Sequence, residues 1–118
     1  MARGNKTNEV KSVKDNPINY KEFDLTGSNA SNDFKGRIYL DGTESDKGTR
    51  YGLGITLNGI TIKGAKLWVP KDENKDCSIM WPEYKDKDGK YQPYILILGE
   101  NDRKDVTEIA NKLAELIG

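Results

Sequence analysis

The chain has no histidine, one cysteine and no long hydrophobic run, and each shortage removes a class of function. Without histidine, the usual general base near neutral pH and the commonest metal ligand are missing. A single cysteine, Cys77, excludes an internal disulfide and fits a reducing compartment. With no histidine to take its proton, that thiol is not a papain-like nucleophile, and the zinc ligand set is also incomplete. Asp72, Glu73 and Asp76 are close enough in sequence for a carboxylate metal site, but the interleaved Lys71 and Lys75 read better as a solvated turn. No segment approaches the ~18 apolar residues of a membrane span. The opening MARGNKTNEV lacks the apolar stretch of a signal peptide. The expectation is a cytoplasmic protein with no membrane contact, no metal and no cofactor.

Charge of one sign is lacking as well. Nineteen basic residues balance nineteen acidic ones, so no global positive field draws the chain to nucleic acid, and any such contact must come from a local patch. Several glycines occur, but none in a phosphate-binding fingerprint. Gly52 and Gly54 lie inside a strand-like run instead of opening a helix. These absences together argue for a binding protein and against an enzyme.

What the chain does contain is strand periodicity followed by one helix. Residues 1–17 are polar, carry Arg3, Lys6, Lys11 and Lys14, and offer nothing to bury, so they read as a basic tail. Residues 18–118 read as a single domain, large enough for one modest core. Ile18 to Leu25 alternates weakly, as an edge strand does, and the polar run from Gly27 to Asn32 has loop chemistry. Phe34, Ile38 and Leu40 alternate with Lys35, Arg37 and Tyr39. Tyr51, Leu53, Ile55 and Leu57 form the cleanest stripe of period two, with Gly52 and Gly54 on the reverse side, where something can approach the backbone closely.

Asn58-Gly59 between apolar runs predicts a type I′ hairpin. Beyond it Ile60 and Ile62 have one parity and Ala65, Leu67 and Val69 the other, which a bulge at Gly64 reconciles. Ser78 to Tyr84 and Tyr91 to Leu98 read as two further strands around a charged loop centred on Asp88-Gly89. Val106, Ile109, Ala110, Leu113, Leu116 and Ile117 recur at helical spacing, with Asp102 as the predicted cap. The predicted fold is α+β: an antiparallel meander of about five or six strands closed by one C-terminal amphipathic helix.

With Ile38, Leu53, Ile55 and Ile62 under the helix, the reverse face presents Arg37, Tyr39, Arg50, Lys63, Lys66 and Trp68. Cations among aromatic rings on an open sheet suit single-stranded DNA or RNA, because lysine and arginine track phosphates while rings stack on bases. Trp81, Tyr84, Tyr91 and Tyr94 form a second aromatic group around the charged loop. It reads either as a cross-strand ladder or as a dimer or partner interface. A thin sheet with one helix leaves an edge open, so a homodimer is expected, with Tyr91 to Leu98 as its contact.

Several segments between Ile55 and about Leu116 follow a recognisable order. Ile55-Thr56-Leu57 precedes a turn, and the next strand carries Ala65-Lys66-Leu67. Met80-Trp81-Pro82-Glu83-Tyr84-Lys85 and Asp88-Gly89-Lys90-Tyr91 follow, and Arg103 stands at the terminal helix. This order resembles the SpoVG family of bacterial septation and sporulation regulators. The resemblance implies a small sheet-plus-helix fold, dimerisation through strands and regulatory binding of DNA or RNA. The competing expectation is a small protein-binding module, such as a phage or mobile-element protein that blocks a host defence factor.

Overall fold

The Asn58-Gly59 hairpin organises the molecule. In the computed structural model, which describes residues 19–26 and 33–118, Asn58 has φ 49° and Gly59 φ 86°, both left-handed as a type I′ turn requires. The turn joins β3 (Gly48–Leu57) to β4 (Ile60–Pro70) as an antiparallel pair. Leu53, Ile55 and Leu57 point to the buried face. Across from them, Ile62 sits opposite Ile55 but Ala65 opposite Leu53, so Lys63-Gly64 supplies one extra residue. Gly64 takes φ 88°, a cost-free value for glycine alone, and this bulge keeps Ile62, Ala65 and Leu67 all buried.

The other strands extend the meander. β1 (Tyr20–Asp24), β2 (Phe34–Glu44) and β5 (Ser78–Met80) complete a five-stranded antiparallel sheet in the order β1-β2-β3-β4-β5. A separate two-stranded sheet pairs β6 (Glu83–Lys85) with β7 (Tyr91–Pro93). A 3-10 turn (Tyr94–Ile97) leads to α1 (Glu100–Lys104) and α2 (Val106–Ile117). The fold is α+β, as the periodicities predicted. The predicted tail over residues 1–17 and the loop from Gly27 to Asn32 lie outside the described residues.

Three local expectations need correction. The single strand expected from Ser78 to Tyr84 is split at Trp81-Pro82, so its halves belong to different sheets; a proline cannot donate to a ladder. The strand expected from Tyr91 to Leu98 stops at Pro93. The apolar run after it winds into the 3-10 turn, which buries Leu98 and leaves Leu96 exposed. The strand proposed as a dimer contact is therefore absent over residues 94–98. Finally, Asp102 is no cap. It lies inside α1 and is fully buried, while Gly99 holds the cap position and Asp105 marks the break before α2.

One face of the five-stranded sheet is covered by α2. Ile109, Ala110 and Leu113 bury against a cluster that includes Phe34, Ile38, Ile55, Ile62 and Leu67. Each large aliphatic side chain contributes about 1.5–3 kcal/mol by leaving water. Polar ties fix the helix in place. The Cys77 N–H donates to Asn111 Oδ1 at 2.9 Å, and Asn111 Nδ2 donates to Asp76 Oδ1 at 3.3 Å. From β1, Lys21 Nζ donates to the Ile117 carbonyl at 3.5 Å, placing a cation at the negative end of the helix dipole. Among the described residues no helix is long and apolar enough to cross a membrane. Among the described residues α2 covers one face only, and the reverse face of the sheet is open.

Candidate functional site on the open face of the sheet

Strand alternation and register place Arg37, Tyr39, Arg50, Lys63, Lys66 and Trp68 together on that open face. One row crosses the whole sheet: Tyr20 pairs with Tyr39, Tyr39 with Gly52, Gly52 with Lys66, and Lys66 with Met80. Directly opposed residues in an antiparallel pair share a face, so this row runs from a tyrosine pair, over a glycine, to a lysine and a methionine. The next row contains Arg50, Trp68 and Ser78. Sequence reasoning missed Tyr20, Glu22, Asp24 and Met80 as members of the face, whereas alternation already set Lys35 on the same side as Arg37 and Tyr39. Only the pairing of β1 reveals the first three, because the weak alternation of Ile18 to Leu25 marks an edge strand without assigning its faces.

The glycines opposite the apolar stripe have a specific neighbour. A Cβ on Gly52 would stand 3.4 Å from Tyr39 Cδ2, and one on Gly54 would stand 3.3 Å from Tyr39 Oη. The Tyr39 ring thus lies along β3 in the space that two side chains would otherwise fill. Tyr20 meets it edge-on, with ring centroids 6.4 Å apart. This geometry holds Tyr39 against the sheet as a half-buried aromatic platform.

Charge divides the face. On the β1–β2 half, Arg37 Nε contacts Glu22 Oε1 at 3.2 Å and its guanidinium lies 4.7 Å from the Tyr20 ring centroid. Lys35 contacts Asp33 at 3.6 Å and stands opposite Asp24 in the register. On the β3–β4 half, Arg50, Lys63 and Lys66 make no ion pair among the described residues. Among the described residues the uncompensated positive charge of the face therefore belongs to β3 and β4.

Among the described residues, two depressions lie on the face. The larger, about 620 Å³, lies over β1–β3 between Asp24, Lys35, Arg37 and Tyr39, with Gly54 and Thr56 along it. The smaller, about 370 Å³, adjoins Trp68 between Lys47, Pro70 and Lys75. Trp68 itself is half-buried because its indole covers Gly48, where a Cβ would stand 2.9 Å from Cζ2. Part of the indole is thus committed to packing.

The second aromatic group does not form one surface. Tyr84 is paired with Gln92 and Lys85 with Tyr91, so Tyr84 and Tyr91 point to opposite faces of the β6–β7 hairpin. Tyr84 packs on Tyr94 with centroids 5.0 Å apart, Tyr91 is 67% exposed with the Lys85 ammonium 6.0 Å from its ring, and Trp81 packs against the main core.

Other chemistry is sparse. Among the described residues no three His, Cys, Asp or Glu side chains converge as a metal site. Cys77 is buried, and burial, aided by nearby Asp76, raises its thiol pKa, the opposite of an activated thiolate. No family model, curated protein or solved structure matches the chain.

Proposed function

We propose that this chain is a non-enzymatic protein that binds single-stranded DNA or RNA across the open face of its sheet. The observation that carries the reading is the row Tyr20–Tyr39–Gly52–Lys66–Met80, with Arg50, Lys63 and Lys66, which make no ion pair among the described residues. Sequence-tolerant single-strand binders need two components, a cationic track for phosphates and aromatic surfaces for bases. Tyr39 supplies the principal aromatic surface, and the free part of Trp68 supplies a second. The resemblance of segments within residues 55–116, in their order and spacing, to the SpoVG family favours the same class of ligand and a regulatory role in the cytoplasm, as a homodimer.

Fluorescence anisotropy with labelled 12-nucleotide single strands tests this. Binding should weaken as salt rises, because each phosphate contact releases counterions with a log–log slope of about −0.7 per contact on single strands. Replacing Lys63 and Lys66 with alanine should flatten that slope by roughly 1.4. Trp68→Ala should cost about 1–3 kcal/mol if its exposed part stacks, with little change in slope. Absence of binding at low salt by the folded protein would overturn the reading. A pull-down that recovers one protein with or without nuclease would then assign the face to a protein partner.

A further inference from the structure

Resting on that reading, we infer that the two halves of the face divide the work, phosphates tracking over β3–β4 and a guanine base docking in the depression over β1–β2. The β3–β4 half holds Arg50, Lys63 and Lys66, none with a carboxylate partner among the described residues, so a polyanion is attracted there. The β1–β2 half is different, because its cations face carboxylates: Arg37 opposite Glu22, and Lys35 opposite Asp24. Such a half attracts phosphates weakly, yet it offers acceptors and donors side by side.

That arrangement suits a nucleobase edge. Asp24 and Lys35 are directly opposed on neighbouring strands, with their Cβ atoms about 5 Å apart by sheet geometry, and both border the depression of about 620 Å³. Asp24 is held in position by the Thr26 N–H, which donates to its Oδ1 at 2.8 Å. The Thr26 hydrogen bonds also lower its pKa, so it remains an acceptor at neutral pH.

Base edges differ in how they meet a carboxylate. Guanine presents two adjacent donors, N1–H and the N2 amino group, beside the acceptor O6. The donors match the Asp24 carboxylate, and O6 matches the Lys35 ammonium, which lies 3.6 Å from Asp33 Oδ2 and has further N–H donors to offer. Cytosine and adenine each present one amino donor beside a ring acceptor. Thymine and uracil present one donor between two carbonyls, which the carboxylate repels. Tyr39, at one side of the depression, offers a ring for the base to stack on. Asp24 is thereby a specificity-determining residue, its Oδ1 accepting from the neutral Thr26 N–H, whereas the charge of Glu22 is already paired with the Arg37 guanidinium.

The test uses 12-nucleotide oligothymidine strands whose central position is dG, dC, dA or dT, with anisotropy measured on the full chain. The dG strand should bind about tenfold or more tightly than the dT strand, as expected for a two-donor base contact. Asp24→Asn should bring all strands within about twofold of one another while leaving the salt slope of the dT strand unchanged. Equal binding of all strands by wild type overturns the guanine subsite but leaves nucleic-acid binding by the face intact. A guanine preference that survives in folded Asp24→Asn overturns the role of Asp24. No binding of any strand at low salt overturns both the subsite and the reading beneath it.

Discussion

Tyr39 and Gly54 share one space: the tyrosine hydroxyl lies 3.3 Å from where a Cβ on Gly54 would stand. The glycine allows the ring to lie flat, and the ring covers backbone that would otherwise face water. Gly54→Val should push the ring off β3 and weaken single-strand binding by about the same 1–3 kcal/mol as Tyr39→Ala. Because both changes remove one platform, their effects should not add. Anisotropy on the two single variants and the double variant measures the coupling. Full additivity would mean that Gly54 does not position the ring.

Much of this fold is legible in the sequence. Alternation in Phe34–Leu40 and Tyr51–Leu57 identified the buried face, and parity in β4 located the Gly64 bulge, because each signal comes from local backbone geometry. Gly52 and Gly54 mark a place of close approach, but the occupant, Tyr39, is set by the register of β2 on β3, which no local signal encodes. The same holds for Glu22 beside Arg37. Residues 94–98 failed for another reason. An unbroken apolar run has no period to separate strand from helix, and Pro93 decided the outcome. Asp102 fits a cap by residue type, yet its burial inside α1 depends on the tertiary packing of α1.

Gly36, opposite Ile55 in the register, has no room for a side chain. A Cβ on Gly36 would collide with the Gly54 carbonyl, which is backbone in a central strand and cannot swing aside. Gly36→Ala should therefore destabilise the fold by about 1–3 kcal/mol, as overpacking does, despite adding a single methyl group. At the exposed turn, Gly59→Ala meets nothing within 4 Å and is strained only by its φ of 86°. Urea titration of both variants gives the comparison. A Gly36→Ala protein as stable as wild type would show that β2 and β3 can separate at this point without cost.

Asn111 joins α2 to the sheet by accepting the Cys77 N–H and donating to Asp76. Asn111→Ala removes both bonds and leaves the N–H of a buried residue without this acceptor. A loss of about 1–3 kcal/mol is expected, dominated by the unsatisfied donor. Asn111→Asp keeps an acceptor for the N–H but faces the Asp76 carboxylate, so it should fall between wild type and alanine near neutral pH. Thermal unfolding followed by far-ultraviolet circular dichroism gives the order of the three proteins. A different order would place the helix tie elsewhere.

The charged hairpin loop carries its own pH dependence. Asp86 accepts from the backbone N–H of Lys90 at 2.9 Å, from Gln92 Nε2 at 3.1 Å and from the backbone N–H of Asp88 at 2.9 Å. These bonds, led by the one from Lys90, hold its carboxyl below the ordinary value of 3.8. With the folded value lowered, the unfolded chain binds the proton more readily. The stabilisation is then present above the ordinary carboxylate range and is lost as pH falls through that range towards the lowered folded value. The β6–β7 hairpin should loosen in acid, with the Lys90 and Asp88 amide resonances shifting together as Asp86 protonates. Asp86→Asn retains an acceptor and cannot titrate, so those acid shifts should disappear from its spectra. Asp24, also lowered by its Thr26 hydrogen bonds, still titrates in that variant, so an acid response should persist at Thr26. If the Lys90 amide shifts in acid as before in Asp86→Asn, another carboxylate controls the loop.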